Sequence, residues 1–127
     1  MSAQTPEQAH DLFVQFFNAG DIESLISLYE SDALLVPFPN PPVQGQAAIR
    51  AALLGFLEAK PQMALMVDKA FQANDIALLF SSWTLRGSDP DGNPFESTGQ
   101  TSDVVRRQPD GRWLFVIDIP QGAAATE

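Results

Sequence analysis

The chain has 127 residues, with nine phenylalanines, two tryptophans and a net charge of −9 from seven basic and sixteen acidic side chains. Its apolar fraction of 45 % excludes a wholly disordered chain, and its acidity argues against nucleic acid or an anionic membrane as partner, because both reward clustered Lys and Arg. The absence of cysteine excludes disulfides, thiolate catalysis and cysteine-ligated metals.

The N-terminus shows neither a basic region nor an apolar region of the kind that opens a signal peptide. No apolar run approaches the ~20 residues that span a bilayer. A cytoplasmic protein is expected, and the length fits a single domain over residues 1–127.

Thr5, Pro6 and Gln8 predict a helix start, with Thr5 as N-cap and Gln8 completing a capping box. Ala9, Leu12, Phe13, Phe16 and Phe17 then form one apolar stripe at helical spacing. His10 falls off that stripe and is expected to face solvent. Gly20 stops the helix, and Asp21 caps a second one carrying Ile22, Leu25, Ile26 and Tyr29.

A short strand is predicted over 33–36, followed by four prolines in 37–42, which require an extended loop. A third helix is predicted over 46–59, with Ile49, Leu53, Phe56 and Leu57 inward, ended by Pro61. Beyond it the period changes to two, and strands are predicted over 63–71, 76–86, 95–107 and 112–119. The turns between them are Asn74-Asp75, the stretch 89–93 with Gly92, and Pro109-Asp110-Gly111. Residues 121–127 read as a frayed tail.

Helices followed by a meander give an α+β protein. One sheet face packs on the helices. The other, if formed by Trp83, Leu85, Trp113, Phe115 and Ile117, needs cover from a second subunit, so a homodimer through the outer sheet face is expected.

The run Phe17-Asn18-Ala19-Gly20-Asp21 before Leu28-Tyr29 resembles the opening of the nuclear transport factor 2-like, or ketosteroid isomerase-like, superfamily. Gly45 before Ala48-Ile49-Arg50 resembles it too. The ending from Gly99 through Asp103-Val104-Val105-Arg106-Arg107, Asp110-Gly111-Arg112-Trp113 and Ile117-Asp118-Ile119-Pro120 is similar to its small bacterial, polyketide-cyclase-like branch. The resemblance implies a cone: a curved antiparallel sheet wrapped around the N-terminal helices, with an apolar pocket between them. Its members include isomerases, cyclases and dehydratases as well as non-catalytic binding and dimerisation modules, so the fold leaves enzyme or non-enzyme open.

Ketosteroid isomerase combines an Asp base with a Tyr and a protonated Asp that hold an oxyanion. The resemblance puts Phe13 in place of that Tyr and Pro37 in place of the base, and neither can move a proton. It keeps the third group, as Asp103, and brings Asp118 into the pocket from the neighbouring strand near Leu114 and Val116. Two carboxylates facing one apolar cavity repel, so one holds its proton more tightly and the pair offers an acid beside a base.

Register decides whether they meet. A two-residue turn at Asp110-Gly111 places Asp103 opposite Asp118, whereas a turn beginning at Pro109 slips the pairing by one. In a purely structural alternative, Arg86, Arg106 or Arg107 would hold these carboxylates in ion pairs.

The expected pocket lining begins with Phe13, Phe17, Phe56 and the face of Phe80, Ser82 and Thr84. Thr101, Val105, Leu114 and Val116 follow from the later strands, and Tyr29 reaches the mouth. The expected ligand is a small apolar organic molecule. A filled cone serving as a non-catalytic ligand-binding or interaction module is the alternative. With a single histidine no multi-histidine metal site can form, and neither metal nor cofactor is expected.

Overall fold

The computed structural model describes residues 2–37 and 39–122. Helix α1, Pro6–Ala19, starts where Thr5 Oγ1 accepts the Gln8 amide at 3.3 Å. Gln8 reaches back to accept the Gln4 amide at 2.7 Å, one residue earlier than a capping box predicts. Gly20 ends the helix in the left-handed conformation, its N–H bonded to the carbonyls of Phe16 and Phe17. Asp21 caps the short helix α2, Ile22–Ile26, through the amide and hydroxyl of Ser24.

Strand β1 is longer than the sequence suggested: it runs Tyr29–Leu35, so Tyr29 opens a strand instead of ending a helix. The proline-rich loop leads to the short β2, Val43–Gln44, and then to α3, Gln46–Leu57. Phe38 in that loop, and residues 123–127 of the tail, lie outside the described residues. The long strands follow as β3 (Gln62–Ala73), β4 (Ile76–Ser88), β5 (Pro94–Arg107) and β6 (Trp113–Ile119).

All six strands form one curved, unclosed sheet in the order β2-β1-β6-β5-β4-β3, antiparallel except where β1 meets β6. Helix α1 packs across it against β3 and β6, and Asn18 pins the helix end to the sheet edge. Its side-chain amide donates to the Met63 carbonyl at 2.9 Å, and its oxygen accepts the Met63 amide at 2.7 Å. The core between helices and sheet holds Phe16, Leu25, Leu35, Ile49, Leu53, Leu79 and Phe115.

Both register alternatives for the last hairpin contribute. The turn takes the slipped form, with Gln108 and Arg112 closing around Pro109-Asp110-Gly111 and Gly111 at φ +91°. Arg107 therefore pairs with Trp113 and Val105 with Phe115. One extra residue on β6, Val116, then forms a bulge that restores the lost step, and Asp103 lies opposite Asp118.

The bulge also breaks alternation, so Phe115 and Asp118 face the same cavity although three residues apart. Leu114 and Val116 consequently do not line that cavity. Leu114 borders a separate surface depression beside Tyr29, Glu30 and Arg106.

Candidate functional site

Between α1, α3 and the concave face of the sheet lies a cavity of about 250 Å³. Phe13, Phe17, Phe56 and Thr101 line it. Pro37 lines it too, buried, and neither it nor Phe13 brings a titratable group.

The face of β4 is the reverse of the one expected. Ser81 is buried on the concave side, and Trp83 and Leu85 line the cavity. Phe80, Ser82 and Thr84 face outward, Phe80 against Phe71 at 6.3 Å between ring centres and Ser82 donating to Asp68 at 2.5 Å. Trp83, Leu85 and Phe115 are therefore cavity residues, and Trp113 is buried in the core, so of the five residues expected to need outside cover only Ile117 remains on the far side. Val105 is fully buried in the core.

Trp83 owes its position to its cross-strand partner. A Cβ on Gly99 would come within 2.4 Å of the indole, so only glycine lets the ring lie flat over β5. The indole N–H donates to the Pro120 carbonyl at 2.8 Å. That bond ties the cavity wall to the segment leaving β6.

At its buried end the cavity meets a chain of hydrogen-bonded polar side chains. Asp103 is 2 % exposed and Asp118 6 %. Asp103 receives the Thr101 hydroxyl at 2.9 Å, the Ile119 amide at 3.1 Å and the His10 ring through Nε2. Tyr29 donates its hydroxyl to Asp118 at 2.5 Å from behind, buried rather than at a mouth. Asp118 stands directly opposite Asp103 in the strand pair, and both line the same cavity.

His10 is the group that sequence reasoning misplaced. Expected in solvent, it is 2 % exposed, because the buried side of α1 is wider than one stripe and includes Pro6 and His10. The available signal was its spacing: His10 stands three residues before Phe13 and seven before Phe17, on the flank of the apolar face. Its ring stacks on Phe115 at 5.6 Å.

Environment separates the protonation states. Burial pushes Asp103 up to about 6, against the pull of the hydrogen bonds it accepts from Asp118, Thr101 and the Ile119 amide. Burial, and then the Asp103 charge, push Asp118 well above the usual carboxylate range, with only Tyr29 and His10 opposing. Burial drives His10 down to about 4 despite Asp118 and Asp11 nearby.

Above about pH 6 Asp103 therefore takes the charge and His10 is neutral, while Asp118, raised further by that charge, is the carboxyl that holds a proton the more tightly. An ionised carboxylate only accepts, which makes His10 Nε2 the donor and leaves Nδ1 to accept the Ser81 hydroxyl at 2.8 Å. The asymmetry has a geometric source: besides Asp118 itself, three protein donors converge on Asp103, whereas only Tyr29 reaches Asp118. Chemically the cavity presents a base and an acid side by side.

The arginines proposed as structural partners are engaged elsewhere. Arg86 pairs with Glu96, Arg106 with Glu30 and Arg107 with Asp75. Among the described residues no group of three or more His, Asp or Glu is arranged to hold a metal ion, and no helix is long and apolar enough to cross a membrane.

Solved structures share this architecture. A ketosteroid isomerase-like protein from Erwinia carotovora atroseptica superposes with a TM-score of 0.81 at 21 % identity, covering 89 % of each chain. A candidate dehydratase of the NTF2-like family from Streptomyces avermitilis gives 0.78 at 18 % identity, covering 89 % of this chain and 90 % of the other. A protein from Catenulispora acidiphila, solved in complex with S-DNPA, gives 0.71 at 18 % identity over 88 % and 86 %. At such identities the likeness establishes the nuclear transport factor 2-like fold. No curated protein matches the chain closely enough to count as a relative. The model of the SnoaL-like domain matches residues 11–116, and the chain therefore belongs to the SnoaL-like family.

Proposed function

We propose that the cavity binds a small, mostly apolar organic molecule and that Asp103 and Asp118 move a proton on it, the chemistry of an isomerase, cyclase or dehydratase. The observation that carries this reading is the pair itself: two buried carboxyls, opposite each other on neighbouring strands, in the wall at the buried end of an apolar cavity, with burial raising both and the Asp103 charge raising Asp118 the more. For a carbonyl substrate, Asp103 takes the proton from the carbon next to the carbonyl as Asp118 gives its own to the carbonyl oxygen. The C–H bond breaks, an O–H bond forms, and the product is the enol. Return of a proton at another position completes an isomerisation. His10, Thr101 and the Ile119 amide hold the base in place.

The test needs no knowledge of the natural substrate. In heavy water the protein is expected to speed deuterium exchange beside the carbonyl of a small ketone such as β-tetralone, followed by NMR. Asp103→Asn is expected to lower that rate by roughly 10²–10⁴, the usual worth of a general base, while leaving the fold intact. Exchange surviving that change at the original rate would remove Asp103 from the base role. Binding without any exchange by the unaltered protein would favour a carrier or sensor. A cone plugged by aromatic rings is not favoured, since a cavity of about 250 Å³ lies between the helices and the sheet and Phe80 lies on the outer face.

We further propose a homodimer through the convex face. Met66 and Phe71 stand there 67 % and 59 % exposed beside Phe80, more apolar surface than strands facing water usually show. Sedimentation equilibrium is expected to give a dimer that Phe71→Asp converts to monomer.

A further inference from the structure

The cavity also limits what can enter it, an inference that rests on the binding reading above. Two features set the limit, size and charge. A cavity of about 150 Å³ is filled by benzene, so by proportion one of about 250 Å³ takes roughly ten non-hydrogen atoms. That is one or two rings. A skeleton of four fused rings is about twice as large and would project past the rim at Phe56 and Ser97, where both side chains stand in solvent.

Charge acts at the other end. The titratable side chains in the wall are His10, Asp103 and Asp118, and among the described residues the wall holds neither lysine nor arginine. A bound carboxylate would place a second negative charge against Asp103 with no counter-ion, where water screens poorly. Thr101 donates to Asp103 and the Trp83 N–H to Pro120, and the Asp118 proton, which leans on Asp103 in the free chain, is the one that an acceptor on the ligand would draw to itself. An uncharged acceptor answers that proton.

We infer that the cavity is selective for uncharged one- or two-ring molecules bearing a carbonyl at one end, and turns away both carboxylates and four-ring skeletons. A thermal-denaturation series with the full chain tests this using three probes: β-tetralone, naphthoate and androstenedione. β-Tetralone at saturation is expected to raise the melting temperature by about 5 °C, and the other two by less than about 1 °C. Asp103→Asn, which removes the charge, is expected to bind naphthoate about tenfold more tightly than the unaltered chain does.

A shift from naphthoate or androstenedione equal to that from β-tetralone would overturn the selectivity and leave the binding reading standing. An Asp103→Asn protein no more receptive to naphthoate would overturn the charge argument. No shift from any probe overturns the inference, and deuterium exchange, which needs no tight binding, then decides the proton-transfer reading alone.

Discussion

The surface and the buried end of the cavity handle carboxylates in opposite ways. Outside, five arginines pair with acidic side chains, as Arg86 does with Glu96 at 2.7 Å and Arg106 with Glu30 at 2.8 Å. Those side chains are for the most part about half exposed or more, so water and salt screen the attraction and each pair contributes little. Inside, Asp103 and Asp118 meet no arginine. Their one negative charge is held by hydrogen bonds from His10, Thr101 and Ile119 and by the proton on Asp118. A chain selected for stability alone would have little use for such a cluster, since apolar side chains of the same volume often serve as well. The exception to ordinary economy marks the place where chemistry is possible.

Breaking the inner arrangement should cost most. Replacing His10 by leucine removes a donor to a charged carboxylate and leaves the Ser81 hydroxyl without its acceptor. About 2–3 kcal/mol of stability is expected to be lost, the scale of a hydrogen bond to a charged group plus an orphaned buried polar atom. Urea denaturation measures it. A change below about 0.5 kcal/mol, the size of a surface effect, would mean that the histidine is not the anchor of Asp103.

Next in size is a pH effect that isolates Asp118. Its raised pKa means that the folded chain holds a proton the unfolded chain releases, so its contribution to stability is lost as pH rises. Asp103, raised to about 6, acts in the same direction at lower pH. His10, lowered to about 4, acts in the opposite direction between about 4 and 6.5, because there the unfolded chain binds the extra proton. The last two largely offset each other, and the chain has one histidine and no cysteine to titrate above them. Above pH 6.5 the unaltered protein is therefore expected to lose stability as pH rises, by up to about 1.4 kcal/mol per pH unit for as long as the folded chain keeps the Asp118 proton. Asp118→Asn should lack that slope, and equal slopes would place the shared proton elsewhere.

Much of this was legible in the sequence, and the failures have physical causes. The caps at Thr5 and Asp21, the stop at Gly20 and the turns at Asn74 and Gly111 are local chemistry, and the elements follow them. The pairing of Asp103 with Asp118 emerged as one of two alternatives. It holds only because the Val116 bulge undoes the slip made by the turn, which no alternation pattern reveals.

Which face of β4 turns inward was also beyond reach. Leu79-Ser81-Trp83-Leu85 and Phe80-Ser82-Thr84 are similarly mixed, and it is packing of the helices that chooses. His10 was missed because a single histidine beside an apolar stripe is ordinarily wet. Its partners come from strands more than 70 residues away in sequence.

A smaller change probes the hydrogen bond behind the pair. Tyr29→Phe removes the donor to Asp118 at a cost of about 1 kcal/mol, partly offset because the phenyl ring still packs on Phe115. That donor favours the charged form of Asp118, so its loss should raise the Asp118 pKa further. In the exchange reaction the rate should rise with pH as Asp103 ionises near 6 and fall as Asp118 gives up its proton. The variant is expected to move only the falling limb, toward higher pH. Movement of the rising limb instead would reverse the acid and base assignments.

The smallest effect belongs to the surface, and it checks the contrast from the other side. Arg86 and Glu96 are 70 % and 54 % exposed and sit on neighbouring strands with a good contact geometry. Arg86→Ala removes one charge of the pair, and the carboxylate left behind is still hydrated. The expected loss is about 0.5 kcal/mol or less, shrinking further at high salt because exposed charges are screened within a Debye length. The deuterium-exchange rate and its pH profile should be unchanged, since no arginine reaches the cavity wall. A double-mutant cycle with Glu96→Ala, at low and high salt, separates the pair's own energy from the general effect of removing a positive charge from an acidic protein. A coupling as large as the His10 loss, and insensitive to salt, would mean that surface pairs carry the structural load assigned to the buried network.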